Sequence, residues 1–123
     1  MGAKILAVDD SKTIRTMIST VLSAEGYEII EAEDGAHALS ILQEHHFALI
    51  ITDINMPKIN GIELIKHIRK EYGHKDTPVI ALTTESNEKI KTEGREAGVT
   101  GWMVKPFQPD KMLKIVHHFC TIS

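Results

Sequence analysis

Cysteine is almost absent from this chain. The single thiol, Cys120, excludes an internal disulfide framework and suits a reducing compartment. A basic excess is missing too. With a net charge of −3, the chain lacks the positive footprint of a nucleic-acid binder. No run approaches the ~18 consecutive apolar residues of a membrane span, and the first residues show no signal-peptide pattern. Gly2 follows Met1, but Leu6 stands where a myristoylation signal wants Ser or Thr. Linkers, internal repeats and low-complexity tracts are lacking as well. These absences lead to the expectation of a cytoplasmic protein without membrane insertion and without a nucleic-acid partner.

What is present is ordinary for a globular domain: 123 residues, 42% hydrophobic and 25% charged. One domain, residues 1–123, is expected, and a chain this long buries roughly two thirds of its unfolded surface. Five short apolar runs stand out: Lys4 to Val8, Glu28 to Ala32, Ala48 to Asp53, Val79 to Thr83 and Thr100 to Val104. The run Ala48-Leu49-Ile50-Ile51 has no polar alternation, as in a strand covered on both faces.

A helical pattern follows each run. Asp10 or Ser11 can cap the first helix, whose inner face is Ile14, Met17, Ile18, Val21 and Leu22. Gly26 is a helix stop. Ala38, Leu39 and Leu42 mark a second helix to about His45. Asn60-Gly61 starts a third, with Gly61, Leu64, Ile65, Ile68 and Tyr72 inward. Residues 86 to 97 make a poor fourth helix, with Ile90, Gly94 and Ala97 as its core contacts and Gly94 costing ~1 kcal/mol against Ala. Shallow packing and mobility are expected there. Pro109 opens the fifth, with Met112, Leu113, Val116 and Phe119 buried. Strands alternating with helices over short connections predict an α/β fold, a parallel sheet with right-handed crossovers and helices on both faces.

The carboxyl ends of strands in such a sheet are where ligands sit. Four of the five deliver chemistry: Asp9-Asp10, Asp53, Thr83-Thr84 and Lys105. The second strand offers nothing obvious. Each residue also has a plain reading. An Asp at a strand end caps helices, a Lys before Pro is commonly solvated, and Thr is an ordinary β-branched strand residue. Together, at one end of one sheet, they point elsewhere. Acids that repel one another call for a hard divalent cation, and Mg²⁺ takes one or two carboxylates while leaving room for a phosphoryl oxygen. Lys105 and Thr83 can meet phosphoryl oxygens. The chemistry is Mg²⁺-dependent phosphoryl transfer onto Asp53 as nucleophile.

These residues resemble a known family, the response-regulator receiver domains, and within it the single-domain chemotaxis regulators of the CheY type. The matching motifs are VDDS (Val8 to Ser11), DINMP (Asp53 to Pro57) with NG (Asn60-Gly61), LTT (Leu82 to Thr84) and KP (Lys105-Pro106), in the family's order and spacing. The resemblance implies a doubly wound, flavodoxin/CheY-like sheet of order 2-1-3-4-5 with five helices. It implies a phosphorylation-activated response regulator of a two-component system. Asp53 would be the phosphoacceptor, and a CheA-like sensor histidine kinase the donor. Asp10, Asp53 and the backbone carbonyl of Asn55 would bind Mg²⁺, with Asp9 helping through water. Lys105 would pair with phosphoryl oxygens, Thr83 with Thr84 would act in the switch, and Lys105-Pro106 would be cis. Asn55 and Glu85 would tune dephosphorylation. Output would run through the face of the fourth helix, fifth strand and fifth helix to a downstream protein, a phosphatase would be a further partner, and the protein would be a monomer.

Trp102 departs from the pattern, since the family's aromatic three residues before the Lys is commonly Tyr or Phe. It is either an aromatic switch residue or a half-buried surface aromatic. The adjacent pairs His45-His46 and His117-His118 diverge by about 100° on a helix, poor geometry for chelation; charge near a helix C-terminus explains them better. Cys120 reads as packing. The expectation is a switch and not a turnover enzyme. Alternatives stay open: a stand-alone receiver in a non-chemotaxis phosphorelay, an aspartyl-nucleophile Mg²⁺ phosphatase, a flavodoxin-like FMN carrier, or a phosphate-independent binding module. A haloacid-dehalogenase-type phosphatase wants a second acid where Asn55 stands, and Asp9-Asp10 would repel an FMN phosphate.

Overall fold

The structure is a computed structural model that describes residues 3–56, 59–70, 76–84 and 88–120. Five strands alternate with five helices: β1 (Lys4–Val8), α1 (Lys12–Ser23), β2 (Glu28–Ala32), α2 (Gly35–Leu42), β3 (Leu49–Asp53), α3 (Gly61–Lys70), β4 (Val79–Thr83), α4 (Glu88–Ala97), β5 (Gly101–Val104) and α5 (Pro109–Cys120). All strand pairs are parallel, in the order β2-β1-β3-β4-β5. This is the doubly wound sheet expected from the sequence.

Alternation along each strand divides the core in two. Leu6, Val8, Ile50, Val79 and Ala81 face the side covered by α2, α3 and α4, where Leu42, Leu64, Ile65, Ile68 and Ala97 are buried. Ile5, Ala7, Leu49, Ile51, Ile80 and Leu82 face α1 and α5 through Ile18, Leu22, Met112 and Val116. Burial of β3 is complete from Leu49 to Asp53, so its sequence had no reason to alternate. The register aligns Val8 with Thr52, Asp53 with Leu82 and Thr83 with Val104. Four strands therefore end together along one edge of the sheet.

The helices depart from expectation in places. Met17 is 40% exposed, not core. The buried line of α1 runs through Ile18 and Leu22, and Met17 lies about 100° off Ile18. α2 stops at Leu42 instead of His45. Its bonds tighten as the Glu44 amide donates to the Ile41 carbonyl at 3.1 Å, so His45 and His46 follow the helix and do not belong to its last turn. β3 and β5 each begin one residue later than expected, at Leu49 and Gly101. Leu113 and Phe119 are half-buried. The inner face of α3 holds as expected over Gly61, Leu64, Ile65 and Ile68; Tyr72 lies outside the described residues, as do Ser86 and Asn87. In α4 only Gly94 and Ala97 are buried, with Ile90 partly so, which is the shallow packing foreseen.

Candidate functional site

The site is assembled at the carboxyl edge of the sheet. Asp9 follows directly on β1 and is fully buried, and β3 ends on Asp53, 3% exposed. Past β5, Lys105 turns back over both. Its ammonium lies 2.9 Å from Asp9 Oδ2 and 3.3 Å from Asp53 Oδ1. The Lys105 side chain is only 14% exposed, so it is no solvated surface lysine. The Lys105-Pro106 peptide is cis. Asp10 is exposed and does not cap α1. Ser11 does, accepting the Ile14 amide at 3.3 Å.

Local hydrogen bonds orient the acids. Asp9 Oδ1 accepts the Ser11 amide at 2.9 Å, and Asp53 Oδ1 accepts the Asn55 amide at 3.3 Å. The Thr52 hydroxyl donates to the Asp53 carbonyl at 3.0 Å. Gly61 lets the first turn of α3 come against that carbonyl, since a Cβ there would overlap the Asp53 oxygen. The Asn60 side chain caps α3 by accepting the Glu63 amide at 2.9 Å. The NG step is thus a close-approach point at the back of Asp53.

Charge is unbalanced here. Two buried carboxylates share one ammonium, and a third acid stands beside them. Burial first, then repulsion from Asp9, pushes the Asp53 carboxyl up to about 6, against the opposing pull of Lys105. Burial works against the Lys105 charge, but its contacts with Asp9 and Asp53 prevail and hold its pKa above the ordinary value. Asp9 Oδ2 is buried and makes no aligned hydrogen bond, with only the ionic contact to Lys105. One ligand oxygen each from Asp9, Asp10 and Asp53 lie within 4.8 Å of one another. A buried Asp9 oxygen whose one partner is the Lys105 ammonium, standing among three hard donors, fits a small divalent cation.

The remaining expected residues fall around this centre. Thr83 is buried at the end of β4, while Thr84 and the Asn55 side chain are exposed. Glu85 lies outside the described residues. Trp102 is half-buried and packs on the α3–α4 side of the core. Its ring lies over Gly94, where an added Cβ would overlap the indole Cζ2. It is therefore more than a surface aromatic, and Gly94 has a reason to interrupt α4. A concavity of about 410 Å³ opens beside it, lined among others by Val104, Phe107, Lys111 and Ile115.

Two arginines were not singled out from the sequence. Arg15 donates to the Asp9 carbonyl at 2.6 Å and to Glu31 at 3.2 Å. Through Glu31 the second strand meets Arg15 and Ser19, not the acids themselves. Arg69, whose burial lowers its pKa, donates to the Gly98 carbonyl at 3.0 and 2.8 Å and also to the Thr77 carbonyl. It ties the turn after α4 to the approach to β4. The histidine pairs form no metal site among the described residues. Nδ1 of His45 is 3.4 Å from Lys4 Nζ, and Nδ1 of His117 is 2.7 Å from the Tyr27 hydroxyl.

A parallel sheet of this order, with acids, a lysine and a threonine at its carboxyl edge, defines a receiver. The family profile of the response regulator receiver domain matches residues 5–117, and the chain belongs to that family. It is the phosphorylation-activated kind of regulator found in two-component systems. Among its relatives, the chemotaxis protein CheY homolog of Campylobacter jejuni is 41% identical over 108 residues, which span 86% of this chain and 83% of that protein. Chemotaxis protein CheY1 of Helicobacter pylori is 42% identical, with 86% and 87% covered. The solved structure of chemotaxis protein CheY4 of Vibrio cholerae superposes with a TM-score of 0.93 at 45% identity, covering 97% of this chain and 99% of that one. The chain also matches longer proteins. It spans only 44% of the probable transcriptional regulator ycf27 of Porphyridium aerugineum, at 40% identity. No helix among the described residues is long and apolar enough to cross a membrane.

Proposed function

We propose that Asp53 accepts a phosphoryl group from a phosphohistidine of a CheA-like sensor kinase, and that the protein signals by altered binding to a downstream partner. One observation carries this reading: the largely covered ammonium of Lys105 lies between the carboxylates of Asp9 and Asp53 at 2.9 and 3.3 Å. At neutral pH the Asp53 carboxyl, held near 6, is mostly ionised and able to attack. Its oxygen forms the new bond to phosphorus as the P–N bond breaks, and the electron pair leaves with the imidazole nitrogen. Lys105 would neutralise charge on the phosphoryl oxygens, and the Thr83 hydroxyl, with Thr84, would donate to them.

Asp9, Asp10, Asp53 and the Asn55 carbonyl would hold Mg²⁺, which when bound supplies positive charge against the developing phosphoryl oxygens. Asn55 and Glu85 flank the site and would set how fast water removes the group. The protein is a switch and not a turnover enzyme: the product of its chemistry is its own modified form.

The output face is the one built by α4, β5 and α5. It carries Trp102, the 51%-exposed Val104 and the concavity beside them. The CheY relatives support chemotaxis as the pathway; a cytoplasmic location and a phosphatase as a further partner belong to the same reading. Residues 1–123 act as one receiver unit.

The test is labelling. Wild type and Asp53→Ala are incubated with acetyl phosphate and Mg²⁺, and phosphorylated protein is resolved from unmodified. Labelling of wild type alone is expected; labelling of both or of neither would overturn the assignment.

A further inference from the structure

Three acids must converge for the site to work, yet they are held very unequally. Asp9 and Asp53 each accept a backbone amide and meet Lys105. The exposed Asp10 carboxylate has no hydrogen bond or ion pair within the described residues. Its direction therefore depends on its backbone. Asp10 joins Asp9 through a planar peptide unit, and the oxygen of that unit is the Asp9 carbonyl. Arg15 Nη1 donates to this oxygen at 2.6 Å.

Arg15 is itself well fixed. Its side chain is 13% exposed. Its Nε donates to Glu31 Oε1 at 3.2 Å, and Glu31 Oε2 accepts the Ser19 hydroxyl at 2.8 Å. The Asp9 amide donates to the Ala32 carbonyl at 3.2 Å, on the strand that carries Glu31. The peptide groups on both sides of Asp9 are thus tied to β2, one directly and one through a rigid guanidinium fork.

We propose that Arg15 is a positioning residue of the acidic site. Through the Asp9 carbonyl it sets the plane from which Asp10 projects, with Glu31 and Ser19 as its support. The inference rests on the reading of Asp9, Asp10 and Asp53 as a Mg²⁺ site. Outer-shell groups that orient ligands are worth about 10–100-fold in metal affinity.

The sign of the effect separates positioning from charge. Removing a cation close to three acids should, by electrostatics alone, tighten Mg²⁺ binding. Loss of positioning should weaken it. Mg²⁺ alone is titrated calorimetrically into wild type, Arg15→Ala, Arg15→Lys and Glu31→Gln, with melting in EDTA measured in parallel. Arg15→Ala is expected to weaken Mg²⁺ binding about tenfold. Arg15→Lys keeps the charge but loses the fork, and is expected to weaken it severalfold. Glu31→Gln keeps an oxygen acceptor and is expected to stay closer to wild type than Arg15→Ala. Unchanged or tighter binding in Arg15→Ala would overturn the proposal, even with a lowered melting point, since a merely structural arginine lowers stability without moving affinity. Should Arg15→Ala not fold, unchanged binding in Arg15→Lys overturns it equally. Failure of wild type to bind Mg²⁺ would bring down the reading of the acids as well, whereas wild-type binding with an indifferent Arg15 removes only the role of Arg15.

Discussion

Replacing Asp53 by Asn should make the metal-free protein more stable at pH 8. The Asp53 carboxyl is held at about 6 instead of its ordinary 3.8, by burial and by Asp9. A raised acid binds its proton more tightly when folded, so between these two values the native state carries more protons than the unfolded chain. Stability then falls as pH rises through that window, and the loss is complete above about 6. At about 1.4 kcal/mol per pH unit, the ionised Asp53 costs the fold about 3 kcal/mol. Lys105, whose pKa is raised by the acids it meets, remains charged throughout and does not shape this window. The Asp53→Asn substitution keeps the side chain's volume and drops the charge. The attraction of Lys105 is already included in that net cost; imperfect replacement of the carboxyl by an amide trims it, so a gain of about 2 kcal/mol is expected, or roughly 5–10 °C in melting temperature. Thermal melts in EDTA at pH 8 and pH 4 measure it. The gain should be present at pH 8 and absent at pH 4, and millimolar Mg²⁺ should shrink it by stabilising wild type selectively. A neutral or destabilised Asp53→Asn at pH 8, or an equal gain at both pH values, would refute the reasoning.

Other perturbations follow from the same geometry. Lys105→Ala leaves the acids of Asp9 and Asp53 facing each other without their cation, a loss of about 3 kcal/mol or more in EDTA; saturating Mg²⁺ should recover much of it, as read from chemical denaturation. Gly94→Ala gains up to about 1 kcal/mol in helix propensity, but its methyl overlaps the Trp102 ring. A shifted Trp102 emission maximum is expected, and an unchanged spectrum would show that the ring does not depend on that notch. Beryllofluoride with Mg²⁺ should change Trp102 emission in wild type if Thr83 and Trp102 are coupled across β4 and β5, whereas an unmoved spectrum would separate them.

Much of this was legible because the chemistry lies at strand ends and the strands are short, apolar and evenly spaced. Asp9, Asp53, Thr83 and Lys105 could each be placed at one edge once the alternation of strand and helix was seen. The unbroken run before Asp53 marked β3 as covered on both faces, and it is. What could not be read depends on side chains meeting from distant segments. Arg15 sits on the outer side of a helical pattern and gives no periodic signal. Its role requires knowing that Glu31, on the neighbouring strand, lies beside it. Gly94 looked like a weakness of α4 until the indole of Trp102 was found in its place. Met17 fits a helical stripe on paper, but such a stripe is wider than the line that the sheet covers. Assigning capping to Asp10 or Ser11 left two options because both residue types accept the same amides; only the geometry separates a capping Ser11 from an Asp10 left to face the site.

The phosphoryl group is expected on Asp53 and nowhere else. The most direct measurement is peptide mapping after phosphorylation with acetyl phosphate and Mg²⁺, with the acyl phosphate trapped by borohydride reduction before digestion. The modification is expected on the peptide bearing Asp53, in an amount that matches the phosphorylated fraction of intact protein. Modification mapped instead to Asp9, Asp10 or one of the histidines, or none at all, would contradict the account.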